Sequence, residues 1–251
     1  MPSLVDFHIH IDYYKNYREM YDYFNHNKTY ALFVTNLPEI FEKCKREFPD
    51  NKYVKIGLGY NPQLAKTHQF NMRLFDKWLP HTKYIGEVGL DYSKEFIATK
   101  TEQQRAFQYI CKRAGETNKI MSIHSRMAEK DALEILIDNR VKFAVFHWYS
   151  GSKTLLEEII RNGYYLSVNY SMLTSIKGLN IIKAVPLDKL LIETDAPFGK
   201  SDIKGKSYNL PVIYEEFEEK LQIKNFSSIV LSNLKRLLIE QKQYGLRNDF
   251  K

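Results

Sequence analysis

Eight short apolar runs alternate with helix-like stretches along this chain, and that rhythm narrows its fold more than any other feature. The runs cover residues 4–10, 30–35, 53–59, 84–89, 120–124, 143–147, 164–168 and 189–193. Runs of this length, apolar on both alternating faces, are how strands of a parallel sheet read when helices cover them. Between them the spacing predicts helices over 17–27, 38–48, 70–79, 101–117, 128–139, 153–162, 212–221 and 227–244, and a broken helix over 172–185 interrupted by Gly178. Pro38 suits an early helical position, where its missing N–H costs nothing, and Thr101 with Gln104 has the spacing of a capping box. No linker rich in Gly, Pro or Ser breaks the rhythm, and no internal repeat is visible. Strand and helix in alternation give a parallel α/β fold, and 251 residues match one (β/α)8 TIM barrel. The expectation is a single domain, residues 1–251, with its site at the C-terminal mouth of the strands.

Composition excludes several classes. Hydrophobic residues make up 44% and charged residues 27%, ordinary globular usage that fits neither disorder nor a coiled coil. A formal net charge of +7 permits a polyanionic partner without requiring one, because the lysines are spread along the whole chain. Cys44 and Cys111 have neither zinc-knuckle nor redox spacing, which suits a reducing compartment. No N-terminal apolar region or run of about 18 apolar residues appears, so the expected protein is cytoplasmic, with no membrane partner.

The polar residues inside the apolar runs carry the chemistry. In Asp6-Phe7-His8-Ile9-His10 the two-residue period of a strand sends Asp6, His8 and His10 to one face. Glu87 lies at the end of the fourth run, His124 at the end of the fifth, His147 at the end of the sixth and Asp195 just past the eighth. A barrel gathers all its strand ends around one mouth, so four histidines and two carboxylates converge there. The remaining histidines, His26, His68 and His81, fall in helix or loop positions. Mixed imidazole and carboxylate donors suit Zn2+, Mn2+, Fe2+, Co2+ or, with more oxygen, Mg2+. Six donors are too many for one tetrahedral ion and suit two ions that share a carboxylate, with Glu87 the natural bridge. Two ions about 3.5–4 Å apart clamp the attacking and leaving oxygens of a phosphoester displacement. Asp195 would orient the water and accept its proton, so no Ser or Cys nucleophile is needed.

An ordered set of motifs resembles the TatD family of metal-dependent deoxyribonucleases, within the amidohydrolase superfamily. Asp6-Phe7-His8-Ile9-His10 is similar to the family's opening metal motif, and Gly86-Glu87-Val88-Gly89-Leu90-Asp91-Tyr92 to its glutamate motif. Gln104-Arg105-Ala106-Phe107, His124-Ser125-Arg126, His147-Trp148-Tyr149-Ser150-Gly151 and Glu193-Thr194-Asp195-Ala196-Pro197 follow in family order. Lys204, Asn209 and Pro211 resemble its substrate-side loop, and Asn233 its late helix. The resemblance implies a TIM barrel that hydrolyses DNA phosphodiesters, often from the 3′ end, with single-stranded DNA the favoured substrate. It implies two divalent ions, Mg2+, Mn2+ or Zn2+: one on His8, His10, Glu87 and Asp195, the other on Glu87, His124 and His147. Glu193 would support a third ion or back the ligands.

Substrate contacts are read from position. Arg126, two residues past His124, is placed to grip a phosphate bidentately, with a surface salt bridge as the alternative. Ser150 and Gly151, at a helix start, offer an anion seat. Lys204 and Lys206 are either a phosphate clamp or a solvated loop, and Trp148 and Tyr149 either stack on a base or cover the rim. The chain departs from the family at Gly59-Tyr60-Asn61-Pro62, where Asn61 stands in place of a His. The stretch 147–151 and Asp12-Tyr13-Tyr14 are similar to the TatD-like component of Qat-type anti-phage cassettes, which implies a defence role with protein partners. Two other readings stay open: a hydrolase of a small ester, amide or lactone, and a partner-gated subunit.

Overall fold

All six residues of the first strand, β1 (Val5–His10), are buried, although three of them are polar. Such a strand has to meet two environments. Val5, Phe7 and Ile9 join the continuous apolar core, while Asp6, His8 and His10 find polar partners at the other face. The computed structural model describes residues 3–49, 51–199 and 209–248. After β1 come β2 (Tyr30–Val34), β3 (Val54–Tyr60), β4 (Tyr84–Gly89), β5 (Ile120–His124), β6 (Phe143–His147), β7 (Tyr165–Val168) and β8 (Leu190–Ile192). Each pairs in parallel with the next, so strand order in the sheet is sequence order.

The eight strands form a nearly closed barrel. Its seam is held by residues just past β8. Asp195 N–H donates to the His8 carbonyl and His10 N–H to the Ala196 carbonyl, both at 2.9 Å. The Asp6 carboxylate accepts the Thr194 N–H at 2.9 Å and its hydroxyl at 2.6 Å. Asp6, which shares a face with the two histidines, therefore closes the barrel at the very place where Asp195 must stand.

Ten helices surround the strands among the described residues: α1 (Tyr17–His26), α2 (Pro38–Glu47), α3 (Met72–Trp78), α4 (Lys100–Thr117), α5 (Glu129–Asp138), α6 (Lys153–Arg161), α7 (Tyr170–Leu173), α8 (Ile176–Ala184), α9 (Leu210–Leu221) and α10 (Phe226–Asn248). None of the described helices is long and apolar enough to cross a membrane. The expected elements are all present, with ends shifted by at most two residues except at α10, which runs four residues further, to Asn248. Three local readings are corrected. Thr101 and Gln104 do not form a capping box: a 3-10 turn over Ile97–Thr99 runs straight into α4, Thr99 takes the cap position, and Gln104 donates to Asp131 instead. Gly178 does not break the helix after β7. The break falls at Thr174 and Ser175, whose hydroxyl accepts the Gly178 N–H at 3.0 Å. Gly178 sits inside α8 because a Cβ there would lie 2.3 Å from the Met172 carbonyl oxygen of α7. Asn209 and Pro211 open α9, where the Asn209 side chain accepts the Val212 N–H, so they build a helix start and not a loop. Lys204 and Lys206 lie outside the described residues.

One glycine fixes the site. The Thr35 carbonyl oxygen stands 1.6 Å from where a Cβ on Gly59 would be. That carbonyl accepts the Glu87 N–H at 3.2 Å, and Thr35 N–H donates to Gly86 at 3.0 Å. The chain after β2 thus bonds directly to β4 across the end of β3, and Glu87 is held at the mouth.

Candidate metal and active site

The candidate ligands meet around the two oxygens of Glu87. On one side, Oε1 lies 2.8 Å from His124 Nδ1 and 2.8 Å from His147 Nε2, and these nitrogens are 3.2 Å apart. On the other side, Oε2 lies 3.4 Å from His10 Nε2. His10 Nε2 is in turn 3.2 Å from His8 Nε2 and 3.3 Å from Asp195 Oδ1, which is 3.5 Å from His8 Nε2. All six expected residues are therefore brought together. Their donor atoms form overlapping groups, His8 with Glu87 and His147, and His8 with His10 and Asp195. His8 joins both because its ring stacks on His147 at 4.0 Å.

This donor set fits divalent cations. Two imidazole nitrogens cannot face each other at 3.2 Å with both lone pairs bare; a proton or a cation must lie between them. Asp195 Oδ1 is buried and accepts no hydrogen bond among the described residues, an arrangement that is costly unless a positive charge meets it. Asp195 also has φ of +53°, and Trp148, next to His147, has φ of +40°. Left-handed backbone at such residues costs about 1–3 kcal/mol each and concentrates at functional sites.

A layer behind the ligands fixes which nitrogen each ring presents. Ser122 Oγ lies 2.8 Å from His8 Nδ1, leaving Nε2 for the mouth. Asp91 Oδ2 lies 2.9 Å from His124 Nε2, so Nδ1 turns to Glu87. Asp91 is itself held by the Ser93 N–H, by Gln63 and, through its backbone, by Gln103. Glu193 Oε1 stands 3.7 Å from His147 Nδ1 and accepts from Asn169 at 3.0 Å and from the Trp148 N–H at 3.1 Å, while Oε2 accepts from Ser167. Glu193 thus backs His147, and no lysine among the described residues pairs with it. Asn61 donates to Glu87 Oε2 at 2.5 Å and to Asn36 at 2.9 Å; Asn36 donates to Asp12 at 2.7 Å.

Electrostatics follow from that packing. Burial opposes the Glu87 charge, yet the imidazoles of His124 and His147 outweigh it and hold the carboxyl well below its usual range. Burial and the neighbouring His147 push His8 well below its ordinary value. Burial likewise opposes protonation of His147, but Glu193 and Glu87 overcome it and raise that ring well above the ordinary value. Against the same burial, Glu87 and Asp91 raise His124, and Asp195 and Glu87 raise His10. The carboxylates of Glu87, Asp91, Asp195 and Glu193 therefore make the mouth a negative field that draws positive charge to the imidazoles, a field in which a cation competes with protons for the same nitrogens.

The mouth opens into a cavity of about 480 Å³ whose wall includes Arg126, Ser150, Trp148, Tyr13 and Phe198. Arg126 is exposed and makes no ion pair with any described residue, so the salt-bridge alternative is not realised among them. The Ser150 hydroxyl bonds to Glu129 at 3.1 Å, which places a carboxylate against the expected anion seat. Trp148 lines the cavity, but Tyr149 does not: it is only 1% exposed and its hydroxyl donates to the Ser152 carbonyl. Sequence reasoning assigned no role to Asp6, Asp91 or Tyr13, although each stands in a motif it quoted, and did not single out Ser122 or Phe198. Asp6 had the clearest signal, since it alternates with the two histidines.

A model of the TatD related DNase family matches residues 5–239. A TATDN1 homologue of Encephalitozoon cuniculi is 35% identical over 198 residues, 69% of this chain and 70% of that protein. The 3′-5′ ssDNA/RNA exonuclease TatD of Citrobacter koseri is 34% identical over 124 residues, 47% of each chain, so the match spans about half of that relative. The crystal structure of YJJV, a TatD homologue from Escherichia coli K12, has the same fold, with a TM-score of 0.81 at 20% identity over 93% of this chain and 97% of that one. With the family model covering almost all of the barrel that carries these ligands, the chain belongs to the TatD related DNase family.

Proposed function

We propose that the protein is a metal-dependent nuclease that removes nucleotides from the 3′ end of single-stranded DNA. The observation that carries this reading is the division of one carboxylate between two nitrogen clusters: Glu87 Oε1 faces His124 and His147, and Oε2 faces His10. His8, His10, Glu87 and Asp195 would hold one divalent ion, Mg2+, Mn2+ or Zn2+, and Glu87, His124 and His147 the other. A third ion on Glu193 is not part of the proposal, because both of its oxygens already accept hydrogen bonds.

When bound, such a pair of ions supplies a Lewis-acid clamp for the attacking and leaving oxygens of a phosphodiester. The protein's own residues do the rest. Asp195 orients the attacking water and accepts its proton. Ser122 and Asp91 lock the rings of His8 and His124, Glu193 stands behind His147 as a compensating charge, and Asn61 steadies Glu87. Arg126 grips a phosphate oxygen at the cavity wall. Family membership and the 3′-5′ exonuclease activity named for the Citrobacter koseri relative support the reaction and the polarity. Buried, unpaired Cys44 and Cys111 suit the cytoplasmic setting we attach to it. An anti-phage role with protein partners is the biological setting we propose, resting on the likeness of residues 147–151 and 12–14 noted above.

The test is cleavage of 3′- and 5′-labelled single-stranded DNA with each metal, with chelator, and with Asp195→Asn. We expect metal-dependent release of mononucleotides from the 3′ end and a loss of about 100-fold or more in the variant. Intact substrate under every metal, with metal still bound by the protein, overturns the proposal.

A further inference from the structure

The nuclease reading leaves two side chains at the mouth without a task. Tyr13 is 50% exposed and Phe198 44% exposed, and both line the cavity above the candidate ligands. Among the described residues every other Phe is buried or half-buried, so an open Phe at this one place is a local exception. The two rings meet edge to face at 4.9 Å between centroids. Each also meets the His10 ring edge to face, Phe198 at 5.2 Å and Tyr13 at 5.6 Å. The pair is therefore anchored to a candidate ligand at one edge and leaves ring surface open to the cavity at the other. Trp148 and Arg126 line the same cavity.

A cation beside exposed aromatic rings matches the two halves of a nucleotide. The guanidinium answers the phosphate, and the rings offer a face to the base. An unpaired strand presents both faces of its bases and can splay its last base into a cavity, whereas a duplex covers every face but the outer ones of its end pair and holds that pair rigidly. A cavity of about 480 Å³ is of the size that takes one small ligand and not a folded duplex. We infer that Tyr13 and Phe198 form a stacking platform for the terminal base of a single-stranded nucleic acid. This inference rests on the nuclease reading and adds the substrate-side element that selects an unpaired end. Because the platform touches His10, a base resting on it belongs to the nucleotide whose phosphate lies at the ligands. The rings act by binding, not as catalytic residues.

The experiment uses the full chain and a 12-nucleotide single-stranded DNA with 2-aminopurine as its 3′-terminal base. Stacking quenches this base, so wild type should dim it several-fold on binding, while Tyr13→Ala/Phe198→Ala should leave it bright. On ordinary DNA the double variant should raise KM by roughly 5- to 150-fold, the range that stacking of one base supplies, with most of the loss in KM and not in kcat. Replacing the terminal nucleotide by an abasic one should raise the wild-type KM by a similar factor and leave the variant's KM where it is. Tyr13→Phe/Phe198→Tyr keeps both rings and should restore quenching and KM, which separates stacking from a folding defect. A variant with wild-type KM and quenching overturns the inference, as does an abasic penalty equal in both proteins. Quenching without cleavage under any metal sinks the nuclease reading and keeps the platform. Cleavage indifferent to the rings does the reverse, and absence of both binding and cleavage removes both.

Discussion

Asp91 shows how much of this centre is decided by residues that reach no substrate. Its carboxylate lies 2.9 Å from His124 Nε2 and so commits Nδ1 to the side where Glu87 waits. The carboxylate stays ionised because bonds from His124, Ser93 and Gln63 outweigh its burial and depress its pKa. Replacing it by the neutral isostere, Asp91→Asn, keeps the shape and removes the charge. Outer partners of metal-bound imidazoles typically contribute about 10–100-fold in affinity. Calorimetric titration with Mn2+ should show a loss of that order, with unchanged circular dichroism; an unchanged affinity would mean that His124 orients itself. The six candidate ligands were legible in the sequence because each sits in or just past an apolar run, where the barrel dictates its direction. Asp91 was not, because it lies beyond β4 in a turn closed by the Ser93 N–H, and the path of such a turn is set by tertiary contacts. Trp148 and Tyr149 make the same point. Neighbours in sequence, they part at a left-handed backbone, one towards the cavity and the other under the surface.

At the scale of elements, the strands were readable because burial on both faces writes a continuous apolar run, and the helices because they fill the intervals. What the sequence withheld were close approaches between backbones. Gly178 looks like an interruption until α7 is seen 2.3 Å from its missing Cβ. Gly59 looks like an ordinary strand glycine, yet it admits the Thr35 carbonyl that carries Glu87. A methyl group there collides with backbone, not with a side chain that can turn away. Gly59→Ala should therefore destabilise the protein by about 1–3 kcal/mol or more, read as a fall in the urea midpoint. It should also weaken metal binding, since Glu87 loses its backbone tether. Gly163→Ala is the control, because its Cβ would meet nothing within 4 Å and only its φ of +84° is strained. Equal losses in the two variants would show that the Thr35 contact adds nothing beyond the cost of a methyl at a left-handed turn.

For the whole molecule, the ligand cluster sets a conflict inside one barrel. The mouth end buries three imidazoles, half-buries that of His124, and buries the carboxylates of Glu87, Asp195 and Glu193; among the described residues His10 Nδ1, His147 Nδ1 and Asp195 Oδ1 are buried with no hydrogen-bond partner. Unpaired buried polar atoms cost about 1–3 kcal/mol each, and burial works against every charge that the imidazoles and carboxylates carry. Cations bound there answer these charges in the folded state, and the unfolded chain has no such site to offer. Binding must then raise stability by mass action, by about 2.7 kcal/mol when free metal is 100 times the dissociation constant. For a domain of this size that corresponds to a rise of about 5–11 °C in melting temperature. Differential scanning fluorimetry with added Mn2+ should show it, and excess chelator should reverse it. Glu87→Gln removes the shared carboxylate from both clusters at once and should abolish the rise. If the variant gains as much as wild type, the metal is binding elsewhere on the surface, and the barrel mouth is not the site that the folded state offers it.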